Sequence, residues 1–116
     1  MKAVVVPKQG ASAEVHSDIE VPEPNDDQIL VKCIYTAVDP LDAMMASYGL
    51  LVESWPMVPG CDAAGIVVKA GKNAVNALGK QFQEGDEVFG CTRIAAKGHS
   101  AWQEYVRMLA CLWSEM

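Results

Sequence analysis

The sequence predicts a mainly β domain with short helices, built as a small, partly open β-barrel. Three observations predict it. About six short stretches are β-branched or alternate polar with apolar residues. Only one stretch carries a helical spacing together with its own start and stop signals. The segments between them are rich in Gly, Pro and Asn. With 116 residues, half of them apolar, the chain suffices for one domain with a real core.

Residues 2–6 are nearly all β-branched and read as a first strand. Gln9-Gly10 makes a turn. Residues 14–21 alternate, with Val15, Ile19 and Val21 set against His16, Asp18 and Glu20, which puts His16 on an exposed face of a second strand. Pro22, Pro24, Asn25, Asp26 and Asp27 break the pattern. Residues 28–38 then form the longest β stretch. At Asp39-Pro40 the period changes: an N-cap is followed by proline at the first helical position. Leu41, Met44, Met45 and Tyr48 fall at helical spacing, and Gly49 is the stop. Residues 50–57 read as a loop held by Trp55.

Residues 58–71 are the stretch the rest is arranged around. Pro59-Gly60 is a tight turn, small residues run to Gly65, and the apolar run 66–68 continues as a strand. Small residues there let another segment approach closely. Cys61 and Asp62 place a soft and a hard candidate ligand side by side, so the turn is a metal site, a cofactor-side wall or packing. Residues 72–83 are loop-like, with one helical turn over 74–78. Residues 84–87 turn, 88–92 form a short strand, 95–100 a loop, and 101–108 a last strand. Nothing repeats at a fixed period.

The net charge of −6 and the lack of a Lys/Arg run argue against nucleic acid as a partner. No apolar run reaches membrane-spanning length. The apolar start is short and is interrupted by Pro7 and Lys8, so a cytoplasmic protein is expected. Cys33, Cys61, Cys91 and Cys111 are widely spaced without a C-x-x-C, which disfavours a zinc knuckle and favours free thiols.

Four motifs, in order, carry a family resemblance. Asp39-Pro40-Leu41-Asp42 resembles an N-P-x-D segment. Residues 58–65, V-P-G-C-D-A-A-G, resemble a P-G-x-D-x-A-G turn. Residues 84–90, E-G-D-E-V-F-G, resemble a G-D-x-V motif. Residues 98–106, G-H-S-A-W-Q-E-Y-V, resemble a G-x-x-A-x-x-E-Y segment. Together they resemble the N-terminal GroES-like (alcohol dehydrogenase-like) domain of the medium-chain dehydrogenase/reductase superfamily. Residues 39–57 and 91–106 look most like fungal zinc-binding-type oxidoreductases, including trans-acting enoyl reductases, and like quinone oxidoreductases.

The resemblance implies a GroES-like catalytic, substrate-side domain over residues 1–109, with 110–116 a truncated tail and the Rossmann domain absent. It implies zinc-independent hydride transfer of the NAD(P)H-dependent enoyl or quinone reductase type, with a small conjugated carbonyl or acyl substrate. NADP(H) is the implied cofactor, its site incomplete here because no G-x-G-x-x-G occurs. No zinc is expected: the first Cys and the His of the zinc-dependent enzymes are replaced around Asp39 and Gly60-Cys61-Asp62.

Asp39, Pro40 and Asp42 are thereby the cofactor-side residues. Asp39 is equally a plain helix cap and Asp42 a helix-dipole partner. Met44, Tyr48 and Cys61 are the substrate-pocket residues. The methionines and Tyr48 also fit as core, Cys61 as a small buried hydrophobe, and Asp62 as an acceptor for turn amides. No catalytic residue is assigned. His99-Ser100 lacks the second Gly of a G-x-S-x-G elbow and reads as loop. Without a coenzyme half the chain is expected to be inactive alone. The alternative is a binding module that associates, as a homo-oligomer or with a partner chain, through an exposed face including Leu109, Leu112 and Trp113.

Overall fold

The computed structural model describes residues 1–93, 96–110 and 113–115. Seven strands and one helix follow in order: β1 (Ala3–Val5), β2 (Glu14–His16), β3 (Gln28–Thr36), α1 (Pro40–Tyr48), β4 (Asp62–Ala70), β5 (Glu87–Cys91), β6 (Tyr105–Leu109) and β7 (Trp113–Glu115). β1 and β2 form a small ribbon. The other five form one antiparallel sheet in the order β6-β3-β4-β5-β7. β6 and β7 are its edges, so the barrel is open, as the sequence predicts. The register between β3 and β4 shifts twice, at Leu30/Val31 and at Cys33/Tyr35. Such irregularities raise the local twist and bend a sheet into a curl.

The inner face of the curl is the core. Ile29 and Val31 of β3, Ala63 and Val67 of β4, Val88 of β5, and Val106 and Met108 of β6 meet Ala74, Phe82 and Trp113 there. Gly65 belongs to the same face of β4, and its lack of a side chain is required. A Cβ at that position would run into the Lys32 carbonyl oxygen and Val31 on β3. The close approach expected of the 61–65 run is therefore real, at the pair Cys33–Gly65.

Helix α1 begins and ends where its signals stand. Asp39 is the N-cap, Pro40 opens the helix, and Gly49 closes it in the left-handed region at φ 70°. Met45 faces inward, into a second cluster with Val6, Met57 and Cys61, against which Trp55 packs.

Four expectations are corrected. β2 ends at His16, and its phase is opposite to the expected one: Val15 is 71% exposed while His16 is half-buried. Residues 74–78 form no helical turn. The Asn76 side-chain oxygen accepts the Leu78 and Lys80 N–H groups instead, and Val75 bridges to Gln81. Asn bonding its own backbone neighbours competes in this way with helix. Met44 and Tyr48 are exposed, so of the helical apolar set only Met45 is fully core. Trp113 is no exposed tail residue: it is 1% exposed, and its strand pairs with β5. Leu109 is half-buried on the edge strand β6, and Leu112 and Cys111 lie outside the described residues.

Candidate active-site cleft

Asp42 organises the mouth of the sheet. It is 1% exposed, in the first turn of α1. Its Oδ2 accepts the Asp39 N–H at 2.8 Å, and its Oδ1 accepts the Gly60 N–H at 3.2 Å and the Cys61 thiol at 3.4 Å. One side chain thus ties the helix start to the Pro59-Gly60 turn. The turn amide taken by a carboxyl group is taken by Asp42, which corrects the role expected of Asp62. Both oxygens of Asp42 are thus engaged inside the protein. Gly60 is confined for a second reason. Its φ is 113°, and a Cβ there would stand 2.6 Å from Cδ1 of Trp102.

Asp39 and Asp62 point the other way. Asp39 is half-buried at the helix start; Asp62 is exposed at the start of β4. Their carboxyl groups are hydrogen-bonded to each other. That bond first, then partial burial and the nearby charges of Asp39 and Asp42, hold Asp62 above the usual carboxylate range. Asp62 therefore keeps its proton to higher pH than a lone carboxylic acid does. Thr36 Oγ1 donates to the Asp62 carbonyl at 2.7 Å and fixes the strand end beneath the pair.

Beside the pair lies a cleft of about 520 Å³ on the outer face of the sheet, lined by residues that include Tyr35, Asp62, Ala64, Phe89 and Cys91. Sequence reasoning assigned none of these to the substrate except through the Cys61-Asp62 turn. Pro40 is exposed at the helix start, and Met44 and Tyr48 are exposed on α1. None of the three lines this cleft. Cys61 does not line it either and is buried with Met45 and Met57. Tyr35 and Phe89 carried no signal of their own, because single apolar residues at outward-facing strand positions are common on protein surfaces.

The residues present do not fit zinc. Burial first, then the bond to Asp42 and the charges of Asp42, Cys91 and Asp62, push the Cys61 thiol up to about 12. Its thiol is committed to the Asp42 carboxyl group. Asp39 and Asp62 are engaged with each other. No group of three or more His, Cys, Asp and Glu side chains suited to a metal occurs among the described residues. A dinucleotide also lacks a cradle: no strand–glycine loop–helix unit stands among the described elements.

A curled, open antiparallel sheet with one capped helix at its mouth is a β domain of the GroES-like class. The structure of an alcohol dehydrogenase superfamily protein from Novosphingobium aromaticivorans superposes on 99% of this chain with a TM-score of 0.86 at 26% identity, using 34% of its own length. The family model for the alcohol dehydrogenase GroES-like domain matches residues 25–113, and the chain belongs to that family. It is 36% identical to the dehydrogenase orsE of Emericella nidulans over 89 residues, which are 77% of this chain and 24% of that protein. It is 41% identical to an NADPH-dependent alkenal/one oxidoreductase of Arabidopsis thaliana over 78 residues, 66% of this chain and 19% of that protein. Quinone oxidoreductases from Sus scrofa and Homo sapiens and a trans-enoyl reductase from Fusarium mangiferae are also relatives. The chain spans about a quarter of the length of the curated relatives it matches. No helix among the described residues is long and apolar enough to cross a membrane.

Proposed function

We propose that this domain is the substrate-side half of an NADPH-dependent reductase of conjugated carbonyl compounds, of the enoyl or quinone type, working without zinc. The observation that carries the reading is the cleft itself: an apolar, aromatic-walled recess of about 520 Å³ with Asp62 among its lining residues. An apolar recess with a few convergent polar groups is the usual form of a small-molecule site. Relatives whose names record NADPH, alkenals and quinones support the substrate class.

A dinucleotide held outside these residues would supply the hydride when bound. This chain's residues do the rest. The aromatic walls bind the apolar part of the substrate and exclude water. Asp62, whose carboxyl group is held above the usual carboxylate range, is the group that faces the carbonyl oxygen, where negative charge develops on reduction of a conjugated carbon. Asp39 and Pro40, at the start of α1, would be the residues that this chain offers to the cofactor.

Titration of the 116-residue chain with NADPH, followed by fluorescence, tests the reading. The expected result is no binding at micromolar concentration, because the phosphates have no cradle here. Micromolar affinity for the chain alone sinks the division of labour. A second reading is an association module, favoured by exposed Tyr48, Leu50 and Leu51 gathered at the end of α1. Size-exclusion chromatography with a hydrophobic dye separates the two: a clean monomer that leaves the dye dark removes the second.

A further inference from the structure

The cleft has a wall structure that no motif accounts for. Tyr35 on β3, Ala64 on β4 and Phe89 on β5 are register partners in one row across three strands. All three belong to the outer face: Tyr35 is 74% exposed and Phe89 48%, while Val88 and Ala63, their neighbours in sequence or register, are buried in the core. The middle residue is the smallest that still carries a side chain. Two aromatic rings therefore stand on either side of a low floor, with Gly90 next along β5.

Inter-strand spacing sets the width of this slot. Adjacent strands lie about 4.8 Å apart, so side chains on β3 and β5 rise about 9.6 Å from one another at their bases. A flat ring lying midway is then about 4.8 Å from each wall. That falls inside the 4.5–7 Å window, approximately, in which aromatic rings attract each other in offset or edge-to-face arrangements. A straight saturated chain in the same place gains contact area but no ring–ring term. Asp62 stands two residues from Ala64 on the same face of β4, about 6.6 Å along the strand, so the acid pair closes one end of the slot.

We propose that Tyr35 and Phe89 form an aromatic clamp that selects a flat, ring-bearing carbonyl substrate over a straight-chain one, with the carbonyl directed at Asp62. This inference rests on the function proposed above and specifies the substrate shape of that site. The two rings are positioning and specificity residues; they take no part in proton or hydride transfer. Both are exposed, so their removal leaves the core untouched.

The test is an NMR titration of the 116-residue chain, without dinucleotide, using two unreactive ketones. One is 2-acetylnaphthalene, flat and aromatic; the other is 2-decanone, straight-chained. The expected result is a saturable shift of the Ala64, Phe89, Gly90 and Cys91 amides with the aryl ketone and at least tenfold weaker binding of decanone. Tyr35→Leu and Phe89→Leu each weaken the aryl ketone fivefold or more and leave decanone unchanged, while Phe89→Tyr restores ring binding. Equal affinity for the two ketones, shifts that map away from β4 and β5, or leucine variants within twofold of the parent overturn the clamp. The proposal and the function fail separately. Ring binding with these dependences would stand even if NADPH proved to bind the isolated chain. Loss of ring preference would leave a reductase of straight-chain enoyl compounds intact.

Discussion

His99 is buried at 4% exposure in the loop before β6, and its Nδ1 has no hydrogen-bond partner. Burial first, then the positive charges of Arg107 and Arg93, lower its pKa from the ordinary 6.5 to about 4. The unfolded chain therefore binds a proton at pH 5 that the folded chain refuses. Stability falls as pH drops through the window from about 6.5 to about 4, and this residue adds no further loss below that. At 1.36 kcal/mol per unit the loss reaches up to about 3 kcal/mol. Urea midpoints measured from pH 7 to pH 4 are expected to fall steeply in the parent and visibly less in His99→Gln. Equal slopes would show that His99 is not held neutral by the fold. Sequence placed His99 correctly in a loop, yet a loop pattern carries no information about burial. The two arginines that surround it lie on either side in sequence, one of them on a strand.

Helix α1 was legible at both ends, because its signals are local: Asp39-Pro40 at the start and Gly49 at the stop. What each acid does was not legible. Asp42 looks like an ordinary first-turn carboxyl group, and only the arrival of the Gly60 turn, 18 residues later, makes it an internal anchor. The strands show the same division. The nine-residue β3 declared itself by composition, whereas the phase of β2 was misread because alternation cannot say which face is covered. The cleft was half legible for this reason: Asp39 and Asp62 stood in motifs, while Tyr35 and Phe89 became a pair only through strand register. Asp42→Ala tests the anchor. It leaves the buried Gly60 N–H and the partly buried Asp39 N–H without their acceptor, at a cost of roughly 3 kcal/mol. Asp42→Asn keeps one acceptor oxygen and is expected to lose less. Denaturant unfolding of both variants reads this, and an alanine variant as stable as the parent would show that α1 is held by apolar packing alone.

At the scale of the molecule, the open sheet depends on the residues that follow β6. β7 returns to pair with β5, a strand passed more than twenty residues earlier. A pairing so distant leaves no local mark, and the segment reads as a tail until the sheet is seen. Trp113 on that strand fills the centre of the curl with Phe82, Val88 and Met108, although its indole N–H finds no partner there. Trp113→Ala empties the largest fully buried side chain in the core and is expected to cost about 3–5 kcal/mol. At several degrees per kcal/mol for a domain of this size, the melting temperature drops by roughly 15 °C or more. Trp113→Phe retains most of the ring and removes the unpartnered N–H, so it is expected to lose less than half as much. Leu109→Ala, on the half-buried edge strand, is the control with a smaller drop. If Trp113→Ala melts within a few degrees of the parent, β7 contributes nothing to the core, and the sheet closes on β5 without it.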